Sequence, residues 1–318
     1  MPKPRALKSG DIIGVISPAS GVDQASLGRG LRLLESLGFK VKLGEISRKL
    51  YEGGMLSAPD EVRARELQWA FGDDEIAGII AGAGGYGTLR LLDKIDYKLI
   101  AANPKVLVGF SDLTALLNSI YKLTQLVVFH GPMVAIDFGQ EKPSNYTIDW
   151  FKRAVMQPSP LEKIEQPEGA PPVKCVVEGE GRGKIIGGNL TLLVRLLGTR
   201  FEPDFSGKIV IIEEVGEDPY EIDGMLTQLI LHGGIKNASG IVFSQCVDCP
   251  VPERAGRPIN RITLEAVIKE RLEKIGVPSI YNFNAGHNVD KPTLPIGVEA
   301  KLDAYRAELR IIESATAE

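Results

Sequence analysis

Lys105-Val106-Leu107-Val108-Gly109-Phe110-Ser111-Asp112-Leu113-Thr114-Ala115-Leu116-Leu117 is a short apolar run that stops at Gly-Phe-Ser-Asp and restarts with helical spacing. It reads as strand, tight turn and helix, with Ser111 at the turn. A corner of this kind lifts its central side chain above a sheet and aims the first N–H groups of the helix at whatever sits there. That is the geometry of a nucleophile elbow, with Leu113 standing where the usual Gly-x-Ser-x-Gly has its last glycine. Taken alone, the same residues fit ordinary N-capping better, a Ser or Asp ahead of an apolar helix.

Upstream, the apolar run Ile12 to Ile16 ends in the turn cluster Ser17-Pro18-Ala19-Ser20-Gly21. Leu27, Leu31, Leu33, Leu34 and Leu37 then recur at helical spacing up to Gly38. With a strand from Lys40 to Leu43 they make a first βαβ unit, followed by a helix from about Pro59 to Phe71 and a strand from Ile76 to Ala81. Strands alternating with helices in this way predict a parallel sheet covered on both faces, whose ligands gather at the carboxyl ends of the strands.

Gly82-Ala83-Gly84-Gly85-Tyr86-Gly87 sits at such an end and spells Gly-x-Gly-x-x-Gly. Three readings stand: a dinucleotide-binding turn, a turn whose N–H groups meet a developing oxyanion, and a plain flexible loop. The motif falls in a later βα turn, and the helix after it is short and ends near Asn103-Pro104.

From about Gly139 to Gly183 prolines accumulate around a short helix at Trp150 to Val155, which marks a domain connection. The expected division is 1–140, a linker at 141–183, and 184–318. In the second half, Gly187-Gly188-Asn189-Leu190 opens a leucine-rich helix to Leu197, and a strand from Lys208 to Ile212 ends at Glu213-Glu214. Adjacent strand residues point to opposite faces, so at most one of these carboxylates enters a given site. Asp218-Pro219 begins a helix that runs to His232, where the helix dipole alone accounts for a histidine. A strand from Pro278 to Phe283 leads to Asn284-Ala285-Gly286-His287-Asn288, and short strands close the chain near Pro295 to Val298 and Glu308 to Ile312. His287, among turn residues at a strand end, is a better site candidate than His232 or the strand-end His130.

The chain has 318 residues, 44% hydrophobic and 25% charged, with a formal net charge of -4. Interspersed charges lack the basic stripe of a nucleic-acid binder. No apolar run approaches the roughly 18 residues of a membrane span, and no signal-like core precedes Asp11, so the expected location is the cytoplasm. Cys246-Val-Asp-Cys249 has no second cysteine pair and there are only three histidines, so a metal centre is not expected. Ser111, His287, Glu213 and the Gly84 to Gly87 turn, each at a strand end, supply the parts for acyl transfer.

The order and wording of the motifs resemble the LD-carboxypeptidase family, which includes muramoyltetrapeptide carboxypeptidases and microcin immunity peptidases. The resemblance covers nearly the whole chain, through Gly-Val-Ile-Ser-Pro-Ala-Ser (14–20), Gly-Gly-Tyr-Gly-Thr-Leu-Arg-Leu-Leu (84–92), Asn-Pro-Lys (103–105) and Gly-Phe-Ser-Asp (109–112). It continues through His-Gly-Pro-Met (130–133), Gly-Gly-Asn-Leu (187–190), Ile-Glu-Glu-Val-Gly-Glu (212–217) and Gly-His (286–287). One departure is Ala83, where many members carry Arg. The resemblance implies a two-domain α/β fold: a flavodoxin-like parallel-sheet domain with the nucleophile elbow, then a smaller α/β domain carrying the acid and the base.

By the same resemblance Ser111 is the nucleophile, His287 the general base and Glu213 the third member of the triad. The N–H groups of Gly85 and Asp112 form the oxyanion hole, and Gly84 and Tyr86 contact the substrate. The implied reaction removes a C-terminal D-amino acid, usually D-alanine, from an L-residue of murein tetrapeptides in cell-wall peptide recycling. It requires no metal or cofactor, and homodimers are common in the family. Two alternatives remain: a microcin-immunity-like peptidase acting on aminoacyl-nucleotide amides, and a non-catalytic dinucleotide-binding protein using Gly82 to Gly87.

Overall fold

In a computed structural model of the chain, residues 2–48, 55–250, 253–254, 257–258 and 263–318 are described. The chain divides into two units: 1–161 with 289–297 and 313–318, and 162–288 with 298–312.

Strands β1 (Ile12–Ile16), β2 (Lys40–Leu43), β3 (Ile76–Ala81), β4 (Val106–Gly109) and β5 (Val128–His130) form the first unit's sheet in the order 2-1-3-4-5. All of their pairings are parallel, and β14 (Leu294–Ile296) adds an antiparallel edge beside β5. The order is that of flavodoxin, as expected. Helices α1 (Gln24–Ser36), α2 (Asp60–Gly72), α3 (Tyr97–Ala102), α4 (Leu113–Thr124) and α5 (Asn145–Met156) accompany the sheet. Ile13, Val15, Ile79, Ile80, Leu107 and Val108 are fully buried, which is why these strands read as continuous apolar runs. Because the strands run in one direction, the loops after β1, β3 and β4 share the carboxyl edge of the sheet. Strand order reverses between β1 and β3, so Ser17 to Ser20 and Gly82 to Gly87 flank the switch point where such folds bind ligands.

The second unit holds an eight-stranded sheet among its described residues. Its centre is a parallel set, β8 (Glu180–Asn189), β9 (Lys208–Val215), β10 (Gly240–Val247) and β13 (Ser279–Phe283). Antiparallel strands extend it on both sides: β7 (Lys174–Val177) beyond β13, and β15 (Glu299–Asp303), β16 (Glu308–Ile311) and β6 (Glu162–Lys163) beyond β8. A small hairpin pairs β11 (Glu253–Arg254) with β12 (Arg257–Pro258). Among the described residues its α-helices are α6 (Leu190–Leu196), α7 (Pro219–His232) and α8 (Leu264–Ile275).

β10, α8 and β15 have no counterpart in the sequence reading, although Ile241-Val242-Phe243 is an ordinary buried-strand run. β8 is absent from it for a physical reason. A Cβ at Gly183 would lie 2.0 Å from the Gly207 carbonyl oxygen, and one at Gly187 would lie 2.0 Å from that of Ile211. Backbones approach too closely there for a side chain, so the strand is built from residues that otherwise signal turns.

Candidate active site

Ser111 follows β4 and precedes α4 with φ of 63°, a left-handed conformation that a non-glycine residue adopts at a cost of roughly 1–3 kcal/mol. This is the strained corner of an elbow. Asp112 occupies the N-cap position in a helical conformation, and its side chain makes no cap to its own helix. Instead its Oδ2 accepts from the Thr88 N–H at 2.8 Å, while Thr88 Oγ1 donates to the Asp112 carbonyl at 2.5 Å. Asp112 therefore fastens the elbow to the glycine turn, a role that its sequence position does not suggest.

The glycine turn needs its glycines for space. A Cβ on Gly84 would stand 3.0 Å from Ser111 Cβ and 3.2 Å from its Oγ, so this residue lies directly against the serine. At Gly85, φ is 102° and a Cβ would come within 2.3 Å of Ser20 Oγ; at Gly87, φ is 120° and a Cβ would meet Arg63 Nη1 at 2.7 Å. A four-residue 3-10 helix, Thr88–Leu91, follows the turn. The dinucleotide fingerprint instead requires an α-helix, whose aligned N-terminal N–H groups hold the pyrophosphate. Tyr86 is 37% exposed beside this turn, whereas Ala83 is buried.

In the second unit, Glu213 lies near the carboxyl end of β9 and His287 follows that of β13. Glu213 Oε2 is 2.6 Å from His287 Nδ1, and the carboxylate is fully buried while the imidazole is partly exposed. Gly286 makes this approach feasible: φ is 70°, and a Cβ would fall 2.4 Å from Glu213 Oε2. The loop is also tied down by Ser244, whose Oγ donates to the Ala285 carbonyl and accepts from the Ala285 N–H, and by Asn288 Nδ2 donating to the same carbonyl. With Nδ1–H directed at the carboxylate, Nε2 becomes the basic nitrogen.

Glu214 points the other way. Its Oε1 accepts from Asn189 Nδ2 and the Val215 N–H, and its Oε2 from the N–H and Oγ1 of Thr191. Burial pushes its carboxyl above the ordinary range, against those hydrogen bonds.

His130 is buried against the Phe110 ring with centroids 5.9 Å apart, and His232 pairs with Glu202 at 3.0 Å, so packing and helix-end electrostatics account for both. Cys175, Cys246 and Cys249 are free thiols. Among the described residues, no group of three or more His, Cys, Asp and Glu side chains is arranged to hold a metal ion. Arg63 and Ser244, which brace the site loops, lie in no quoted motif, and Ser20 and Thr88 lie in motifs that assigned them no role; each acts through contacts distant in sequence.

The structure thus places a left-handed serine at the carboxyl edge of the first unit's sheet and a histidine bonded to a buried carboxylate at that of the second unit's sheet. Residues 13–131 match the N-terminal domain of the LD-carboxypeptidases and residues 182–302 match their C-terminal domain. The chain belongs to this family of peptidases. It is 36% identical to a probable murein peptide carboxypeptidase of Bacillus subtilis, over 99% of this chain and 96% of that protein. Among solved structures, the microcin C7 self-immunity protein MccF in complex with aspartyl sulfamoyl adenosine superposes with a TM-score of 0.89 at 26% identity, covering both chains fully. The muramoyltetrapeptide carboxypeptidase of Oxalobacter formigenes gives 0.81 at 28% identity, over 94% of this chain and 97% of that one.

Proposed function

We propose that this chain is a serine-type carboxypeptidase that releases a C-terminal D-amino acid, D-alanine above all, from an L-residue of murein tetrapeptides. The observation that carries the reading is the buried Glu213 carboxylate on His287 Nδ1, the arrangement that makes an imidazole a general base. In the reaction, Ser111 Oγ attacks the carbonyl carbon of the L-residue and passes its proton to His287 Nε2. The oxyanion is received by the N–H groups of Gly85 and Asp112, with Gly84 and Tyr86 beside the substrate. The C–N bond then breaks as His287 returns the proton to the leaving amine. Water adds to the acyl-enzyme, giving one proton to His287 and then to Ser111, so one water is consumed per peptide cleaved. Protein groups and water supply every step.

The family's N-terminal domain match contains Ser111 and its C-terminal domain match contains Glu213 and His287, which supports a division of the triad between two domains. We place the enzyme in the cytoplasm as a homodimer, on the strength of the family resemblance and of its part in cell-wall peptide recycling. The MccF complex with aspartyl sulfamoyl adenosine supports a second reading, cleavage of aminoacyl-nucleotide amides by the same residues. The likeness to the murein peptide carboxypeptidase, at higher sequence identity, favours the first.

Mass spectrometry of a small library of tetrapeptides with D- and L-terminal residues, beside an aminoacyl sulfamoyl adenosine, separates the two. Wild type should release D-alanine from D-terminated tetrapeptides alone. Ser111→Ala should lose turnover on the order of a millionfold while keeping its fold. More than a few per cent of residual turnover would overturn the serine mechanism, and hydrolysis of the nucleotide analogue alone would favour the second reading.

A further inference from the structure

Arg63, a helix residue with no measurable exposure, donates through Nη1 to the carbonyl of Pro18 at 2.5 Å and to that of Gly87 at 3.0 Å. Its Nε reaches the Ala58 carbonyl at 3.0 Å and its Nη2 reaches Asp60 Oδ1 at 2.5 Å. A buried guanidinium is expensive unless its donors are used, and here three bonds go to backbone carbonyls of three loops and a fourth goes to the Asp60 carboxylate. One nitrogen joins the loop after β1 to the end of the glycine turn, and the Ser57 N–H also holds the Ala19 carbonyl. The residue presented by this clamp is Ser20.

Ser20 contacts both peptide groups that flank Gly85. Its N–H donates to the Gly84 carbonyl at 3.1 Å, and its Oγ accepts from the Tyr86 N–H at 3.2 Å. The hydroxyl proton is committed to the Met55 carbonyl at 2.8 Å, which leaves the oxygen's lone pairs for Tyr86. The Gly84 carbonyl and the Gly85 N–H belong to a single planar trans peptide and point in opposite directions. Holding that carbonyl on Ser20 therefore turns the Gly85 N–H away from Ser20, and holding the next N–H on Ser20 Oγ fixes the peptide that follows. A glycine at φ of 102° has no side chain of its own to set these planes.

We propose that Ser20, held by Arg63, is a positioning residue that sets the direction of the Gly85 N–H as an oxyanion donor. This rests on the reading of Ser111 as nucleophile and Gly85 as donor. Ser20 does not touch the reacting atoms. Its backbone N–H turns the Gly84–Gly85 peptide, and its hydroxyl, by holding the Tyr86 N–H, keeps the next peptide from rotating and so steadies the donor between them; loss of the hydroxyl loosens that donor and acts on kcat and not on ground-state binding.

The test is Ser20→Ala, which removes the hydroxyl and leaves the backbone bond to Gly84 in place. Complete loss of an oxyanion donor costs about 100- to 1000-fold, and misdirection of one is expected to lower kcat roughly ten- to hundredfold with KM unchanged. Affinity for a peptide boronate, whose tetrahedral serine adduct carries the oxyanion, should fall by the same factor as kcat/KM, while affinity for the tripeptide product stays at the wild-type value. Ser20→Thr, which keeps the hydroxyl, should recover kcat to within about threefold. Wild-type kcat in Ser20→Ala, equal losses for boronate and product, or a Thr variant as impaired as the Ala variant would overturn the assignment. Ser111→Ala is measured alongside: if it retained turnover, the fault would lie with the underlying serine reading and not with the brace.

Discussion

Glu213 and Glu214 leave β9 on opposite faces, and their substitutions should fail in different ways. Glu213 binds His287, and its Oε1 has no hydrogen-bond partner among the described residues. Glu213→Gln keeps the shape but removes the charge that stabilises an imidazolium, and it favours the wrong tautomer; kcat is expected to drop at least roughly a hundredfold with little loss of stability. Glu214 is surrounded by four donors, and a Gln there would set its own N–H groups against them. Glu214→Gln should therefore cost about 1–3 kcal/mol in urea unfolding, as a buried polar group loses its partner, with less than about a tenfold effect on kcat. The reverse order of kcat effects would show that Glu214, not Glu213, serves the histidine.

At the scale of the element, α2 buries Arg63 and Glu66 on the same face as Leu67, Ala70 and Phe71. Glu66 accepts from the N–H groups of Ser17 and Ile46, so one carboxylate holds the start of the loop after β1 and the loop after β2. Burial raises its carboxyl above the ordinary 4.5, against those hydrogen bonds. A raised pKa means that the folded state binds the proton more tightly than the unfolded chain. The contribution to stability is then greatest below about pH 4.5 and declines as pH rises toward and through the folded value. Melting temperatures of wild type and Glu66→Gln, measured in parallel from pH 4 to 8, should show the wild type losing ground to the variant as pH increases. A difference that does not change with pH would contradict this.

For the whole molecule, the chain leaves the second unit after Asn288 and returns to the first as residues 289–297. Within the first unit that return is secured by buried Lys291, which pairs with buried Asp137 and lies 4.6 Å over the Phe110 ring, and by its N–H on Thr147 Oγ1. Lys291→Met leaves Asp137 buried without its cation and should lower stability by about 3–5 kcal/mol in urea unfolding. Adding Asp137→Asn, which keeps an acceptor for the Met133 N–H, should recover most of that loss. Additive losses would show that the pair is not coupled.

β1, β2, β3 and β4, the helices between them and the Ser111 corner could be read from the sequence because each depends on local periodicity: apolar runs for doubly covered strands, three- and four-residue spacing for helices, and glycine or serine at the turns. The same locality hid β8, whose Gly181, Gly183, Gly187 and Gly188 resemble a loop until the backbones packed against it are seen. Spacing also showed that only one of Glu213 and Glu214 could serve a given site, since strand neighbours alternate. Which one does so depends on a partner 74 residues away, brought in on the loop after another strand. Arg63 lies in no motif, and the motif that ends at Ser20 does not show what that residue does, because a buried guanidinium and a loop hydroxyl acquire their roles from carbonyls and N–H groups contributed by three separate loops. Local pattern encodes which face of an element is apolar; hydrogen-bond partners distant in the chain are chosen only when the elements pack, and here that choice was made by the tertiary structure.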